Sequence, residues 1–176
     1  MSGSVRLNER AGGMNILWAP WREAYVVRSS GNKKKKGCVF CAIIKEKKDR
    51  KNYIFLRSST CFAVLNIYPF NGGHSLVIPN RHISDLTEMT KEERTDFFDT
   101  LVRVKDILQK AFSPQAFNVG LNLGHLAGAG IPEHLHMHVV PRWSGDMNFM
   151  PVLFDVKVMP VSLRKVYEAV MNAQKS

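Results

Sequence analysis

His134, His136 and His138 alternate along Glu133-His134-Leu135-His136-Met137-His138, which continues into Val139-Val140-Pro141-Arg142-Trp143. Successive strand side chains point to opposite faces. In an extended segment the three imidazoles therefore share one side, and Leu135, Met137 and Val139 the other. Imidazole titrates near neutral pH, serves as nucleophile or proton carrier, and binds metals. The chain has six histidines, and half of them fall within these five positions. Such concentration reads as a reactive surface rather than as packing.

A second set of reactive groups is sulfur. Cys38 and Cys41 form Cys38-Val39-Phe40-Cys41, and the third cysteine, Cys61, lies in the apolar run Thr60-Cys61-Phe62-Ala63-Val64-Leu65. Three cysteines do not make a disulfide scaffold. Cys61 reads as a plain core residue. The C-x-x-C pair fits a zinc site, free thiols or a redox pair. His82 and His134 could add two nitrogens and complete a closed Cys2His2 set. Spacing alone does not name the histidines, so these readings stay open.

The third feature is a glycine-rich run just ahead of the histidines. Asn118-Val119-Gly120-Leu121-Asn122-Leu123-Gly124 leads to Ala127-Gly128-Ala129-Gly130-Ile131-Pro132. Glycines let backbone N–H groups approach phosphate oxygens closely. The Asn122 amide could add a donor.

The elements that must position these groups are legible. Tyr53–Arg57, Cys61–Asn66 and Ser75–Pro79 are short apolar or alternating runs, with Asn71-Gly72-Gly73 as a turn. Thr90-Lys91-Glu92-Glu93 has the form of a capping box. Behind it Phe97, Leu101, Val104, Leu108 and Ala111 make one helical stripe, ending near Phe112 before Ser113-Pro114. Ala116–Leu123 and His134–Arg142 read as further strands. Ser162 is placed to cap a helix over Leu163–Ala173. Pro20, in Trp18-Ala19-Pro20-Trp21, suits the first turn of a short helix. Short strands joined by tight turns favour an α+β class: an antiparallel sheet with a long packed helix and a C-terminal helix.

Composition sets the outer bounds. At 176 residues and 45% hydrophobic content the chain can bury a real core. Residues 1–13 read as a flexible leader and 14–176 as one domain. No apolar run reaches the ~18 residues of a membrane span, and no signal-peptide core is visible, so a cytoplasmic protein is expected. The net charge of +10 attracts polyanions. Much of it sits at Lys33–Lys36 and at Lys45, Lys47, Lys48, Arg50 and Lys51, a solvated loop or a funnel for a polyphosphate. No nucleic-acid recognition motif accompanies it, so neither a nucleic-acid nor a membrane partner is expected.

The motif His134-Leu135-His136-Met137-His138-Val139-Val140 resembles that of the histidine triad family of nucleotide hydrolases and transferases. Phe62–Asn66, Gly73-His74-Ser75-Leu76-Val77-Ile78-Pro79 and His82 extend the resemblance. Trp18–Arg22, Ala127–Gly130 and Pro141–Phe149 are similar to the diadenosine tetraphosphate phosphorylase and hydrolase branch. The resemblance implies that His136 is a nucleophile attacking the α-phosphorus and that His138 assists at the phosphate. It implies that Asn66 holds the ribose, and that Asn122, Gly128, Ala129, Gly130 and Trp143 line the nucleotide site. It maps a structural zinc onto Cys38, Cys41, His82 and His134, and implies a homodimer and a divalent cation accompanying the substrate. The alternatives are a general purine nucleotide phosphoramidase or a nucleotide sensor with little turnover. One departure stands out. Relatives often carry a hydroxyl or amide just before the triad, where this chain has Gly130-Ile131-Pro132. Leaving-group assistance then falls to backbone N–H groups, His138 or His125.

Overall fold

The computed structural model describes residues 37–146, 159 and 161–175. The expected leader, the boundary at Met14, the Pro20 helix turn, Trp18, Trp21 and Lys33–Lys36 lie outside these residues.

Among the described residues, four α-helices and five strands carry the fold: α1 (Val39–Glu46), α2 (Asp49–Asn52), β1 (Ile54–Arg57), β2 (Cys61–Leu65), β3 (Ser75–Pro79), α3 (Lys91–Phe112), β4 (Ala116–Leu121), β5 (Met137–Arg142) and α4 (Leu163–Ala173). The strands form one antiparallel sheet in the order β1-β2-β3-β5-β4. An α+β fold with a long helix and a C-terminal helix is thus what the chain adopts.

The long helix begins where the capping box places it. The Glu93 N–H donates to the Thr90 hydroxyl at 3.2 Å, and the Glu93 carboxylate accepts the Thr90 N–H at 2.9 Å. It stops at Ser113, whose left-handed backbone (φ 46°) returns an N–H to Gln109 O. Phe97, Val104 and Leu108 are buried, while Leu101 and Ala111 are partly so. Thr100 is buried beside them although it is polar. Its hydroxyl donates to Ser58 Oγ at 3.0 Å, which satisfies the group inside the core.

Strand register sorts the sheet into two faces. Ala63, Val77, Met137 and Leu121 align across the strands and point toward α3. There they join Cys61, Leu65, Val139, Phe97, Val104, Leu108, Val166, Tyr167 and Val170 in the main core. Val64, Leu76, His138 and Gly120 align on the other face. On the β1–β3 half of that face Ile54, Phe62, Val64, Leu76 and Ile78 pack under Phe40 of α1. The β5–β4 half presents the histidines.

Several boundaries differ from the expectation. The last-named strand begins at Met137 rather than His134, because the Leu135 N–H leaves the ladder and donates to Ile83 O at 2.6 Å. β2 stops at Leu65 and β4 at Leu121. The C-x-x-C segment and the basic stretch after it form α1 and α2, each ended by a left-handed residue, Lys47 and Tyr53.

Candidate active site and metal centre

β5 delivers His138 from within the ladder and His136 from the residue preceding it. His136 is 5% exposed. Its Nδ1 lies 2.9 Å from His134 O. A carbonyl only accepts, so Nδ1 carries the proton and donates. The lone pair of a neutral His136 therefore sits on Nε2. Burial pushes this imidazole below its ordinary pKa, which keeps it neutral near pH 7.

His138 shows the opposite assignment, and His74 on β3's leading edge fixes it. Phe70 N–H donates to His74 Nδ1 at 3.0 Å, and Asn66 Nδ2 does so at 3.3 Å. His74 Nδ1 is thus an acceptor, and the His74 proton resides on Nε2. That Nε2–H donates to His138 Nδ1 at 2.9 Å. His138 must then hold its own proton on Nε2. This atom is buried and meets no hydrogen-bond partner among the described residues. Burial, reinforced by the neighbouring His136, pushes the His138 imidazole down to about 4. The two rings stand edge to face at 5.1 Å. A lone-pair nitrogen and an unsatisfied N–H donor are thereby set side by side on one sheet face.

Opposite His138 on β4 is Gly120. A Cβ built there meets nothing within 4 Å, so the sheet leaves open space beside the imidazoles.

The sulfur cluster lies at the near end of the same segment. One donor atom each from Cys38, Cys41, His82 and His134 falls within 4.8 Å of all the others. Cys38 Sγ to His134 Nδ1 is 3.2 Å, Cys41 Sγ to His82 Nδ1 3.3 Å, Cys41 Sγ to His134 Nδ1 3.6 Å, and His82 Nδ1 to His134 Nδ1 3.2 Å. Tetrahedral zinc with bonds of 2.0–2.3 Å separates its ligands by roughly 3.5 Å. The orientation also fits. His134 Nε2–H donates to Pro79 O at 3.0 Å, which turns the Nδ1 lone pair into the cluster and fixes the tautomer. Burial lowers the His134 pKa and raises that of Cys41. A cation would therefore displace the Cys41 proton on binding.

Residues 47–145 match the HIT domain family. The chain belongs to the HIT domain family. It is 37% identical to the AP-4-A phosphorylase of Mycobacterium tuberculosis over 152 residues, 84% of this chain and 78% of that protein. It is also 37% identical to the asymmetrical bis(5'-nucleosyl)-tetraphosphatase of Schizosaccharomyces pombe over 95 residues, 54% of this chain and 52% of that one. Among solved structures, a zinc-bound histidine triad family protein from Mycobacterium smegmatis superposes with TM-score 0.64 at 26% identity, covering 79% and 94% of the two chains.

Within this HIT domain the remaining expected site residues are spread out. Asn66 spends its amide internally: Oδ1 accepts the Tyr68 N–H at 2.9 Å, and Nδ2 reaches His74. Asn122 Nδ2 donates to Gly128 O at 3.5 Å and ties the glycine loop together. Gly128 has a left-handed φ of +87°, and Ala129 is buried between two exposed glycines. Trp143 lies past the far end of β5 from His136, its N–H donating to Asp146. Sequence reasoning placed His74 within the family motif but gave it no role. The signal was present, since a histidine after Gly73 directly precedes the largely apolar β3, which packs beside β5.

Proposed function

We propose that this HIT enzyme cleaves dinucleoside polyphosphates such as diadenosine tetraphosphate at the α-phosphate, through a covalent nucleotidyl-histidine on His136. The observation that carries this reading is the paired assignment of protons: Nε2 of His136 bears a lone pair, while Nε2–H of His138 is a buried donor without a partner among the described residues. The names of the relatives supply the substrate class.

In the first step His136 Nε2 attacks the α-phosphorus, forming a P–N bond as the P–O bond to the bridging oxygen breaks. The departing nucleoside polyphosphate carries the electron pair away. His138 Nε2–H donates to a phosphoryl or bridging oxygen, where charge develops. His74 keeps that proton on the correct nitrogen. In the second step water or orthophosphate takes the nucleotidyl group, and His136 is regenerated. Covalent catalysis divides one hard displacement into two easier ones.

The supporting roles follow from the family resemblance. Asn66, Asn122, Gly128, Ala129, Gly130 and Trp143 are assigned to the nucleotide, and a divalent cation accompanies the polyphosphate. Cys38, Cys41, His82 and His134 would hold zinc. All four positions are protein-filled, so that zinc would fix structure and activate no water. The working protein is a single cytoplasmic domain over residues 14–176, a homodimer. Among the described residues no helix is long and apolar enough to cross a membrane. Exposed Phe98 and Val102 on α3 and Val119 on the edge strand β4 offer an apolar face for a second copy. Sedimentation as a monomer at micromolar concentration would dismiss the dimer.

The decisive experiment uses diadenosine tetraphosphate labelled at the α-phosphate. Acid-sensitive, base-stable label on the wild-type protein, absent from His136→Asn, is the expected result. Label that stays off the wild-type protein during turnover would refute the covalent route. AMP plus ATP as products marks hydrolysis; ADP plus ATP, dependent on phosphate, marks phosphorolysis.

A further inference from the structure

Phe40 stands where the sulfur cluster and the nucleophile meet. It lies between Cys38 and Cys41 in sequence, on the first turn of α1, and is 6% exposed. Its ring meets His134 edge-on, with centroids 5.4 Å apart and planes at 84°. The same ring meets His136 at 5.4 Å and 57°. Both separations lie within the favourable range for aromatic pairs. Behind Phe40 the apolar side chains of β1–β3 leave it no retreat.

His136 needs such a neighbour. Its ring makes one hydrogen bond among the described residues, from Nδ1–H to His134 O. One bond at Nδ1 sets the tautomer but leaves the ring plane free to swing about that contact. Packing must hold the plane, and Phe40 and His138 supply it. Phe40 is in turn held by α1, a helix of eight residues whose N-cap, Cys38, makes no capping hydrogen bond with its side chain. The start of α1 is instead tied through Cys38 and Cys41 to His82 and His134. His134 is a shared part: its side chain joins the cluster and its carbonyl holds His136.

We propose that Phe40 is a positioning residue that transmits the closed state of the four-donor centre to the imidazole of His136, so that the centre governs turnover as well as folding. The proposal rests on His136 being the nucleophile. Loosening the support of a reacting group by a fraction of an ångström to one ångström costs about 10- to 100-fold in rate.

The test compares the zinc-loaded full chain with Phe40→Leu, which keeps most of the apolar volume but loses the ring face, and Phe40→Ala. Zinc content and circular dichroism verify each preparation. The expected result is a kcat lower by about 10-fold for Leu and approaching 100-fold for Ala. The Kd for a non-hydrolysable dinucleoside tetraphosphate should stay within about two-fold. Nitrogen-15 histidine spectra supply a readout independent of turnover. Wild type should give one fixed Nδ1–H signal for His136, assigned against His136→Asn. The Phe40 variants should broaden it, as should chelation of a chain that stays folded. If Phe40→Ala fails to fold, Phe40→Leu decides alone. An unchanged kcat and an unchanged His136 signal in the zinc-bound variants would overturn the proposal. So would a weakened Kd with kcat intact, which would place Phe40 in the nucleotide pocket. A wild type that forms no nucleotidyl adduct sinks the functional reading only, because the spectra need no substrate and still decide the coupling.

Discussion

Replacing His136 with Asn keeps a polar side chain but removes the attacking nitrogen. Turnover should fall by at least ~10³ while nucleotide binding changes little, as measured by single-turnover kinetics and calorimetry. Retention of most activity would exclude His136 as nucleophile. His138 gives a pH signature with a definite sign. Its folded-state pKa, about 4, lies below the ordinary histidine value near 6.5. Below pH 6.5 the unfolded chain takes up a proton that the folded chain refuses. His138 therefore contributes stability that is complete above pH 6.5 and is lost as pH falls toward 4. Urea midpoints across that window should drop with pH, and His138→Gln should flatten the slope. His134 and His136, shifted the same way by burial, leave a residual slope. A His138→Gln profile parallel to wild type would contradict the assignment.

Among the elements, α1 depends most on chemistry outside its own backbone. Cys41→Ser should lower the melting temperature and the zinc content together, because metal binding energy is folding energy. Metal-free protein of unchanged stability would remove zinc from the account. This dependence explains what could be read from sequence and what could not. The α3 helix announced itself through local signals, Thr90 and Glu93 at one end and Ser113-Pro114 at the other, so both ends lie where those signals put them. The α1 helix carries no comparable cap, and C-x-x-C spacing by itself carries no helix signal. Alternation correctly put His136 and His138 on one face. It failed at His134, because the Ile83 carbonyl and the sulfur cluster, distant in sequence, draw that residue out of the ladder. His74 was given no role for the same reason. Its role arises only when β3 lies beside β5.

For the molecule as a whole, charge is the property that acts at a distance. In the described basic stretch Glu46 pairs with Lys48 and Lys51, and Asp49 with Arg57. Among the described residues no carboxylate lies within ion-pair distance of Lys45, Lys47 or Arg50. If this excess steers an anionic substrate, raising salt should lower kcat/KM more than kcat. Exposed charges are screened beyond about 8 Å at physiological ionic strength, and steering acts on encounter. Replacing Lys33–Lys36 with Ser should weaken that salt dependence. An identical dependence in the variant would leave the lysines as a solvated face.

Gly72 and Gly73 are neighbours that look interchangeable in the sequence. A Cβ at Gly72 would meet nothing within 4 Å. At Gly73, where φ is +75°, it would meet the Phe112 ring at 3.1 Å and Pro141 at 3.2 Å. The last residue of α3 and the penultimate residue of β5 thus close on the one backbone position that precedes His74. In a saturation library selected for activity, position 72 should accept many side chains and position 73 almost none. Free variation at position 73 would mean that the turn can move without disturbing the histidines. Otherwise a hydrogen atom in place of a side chain is as binding a requirement on this family member as any imidazole it carries.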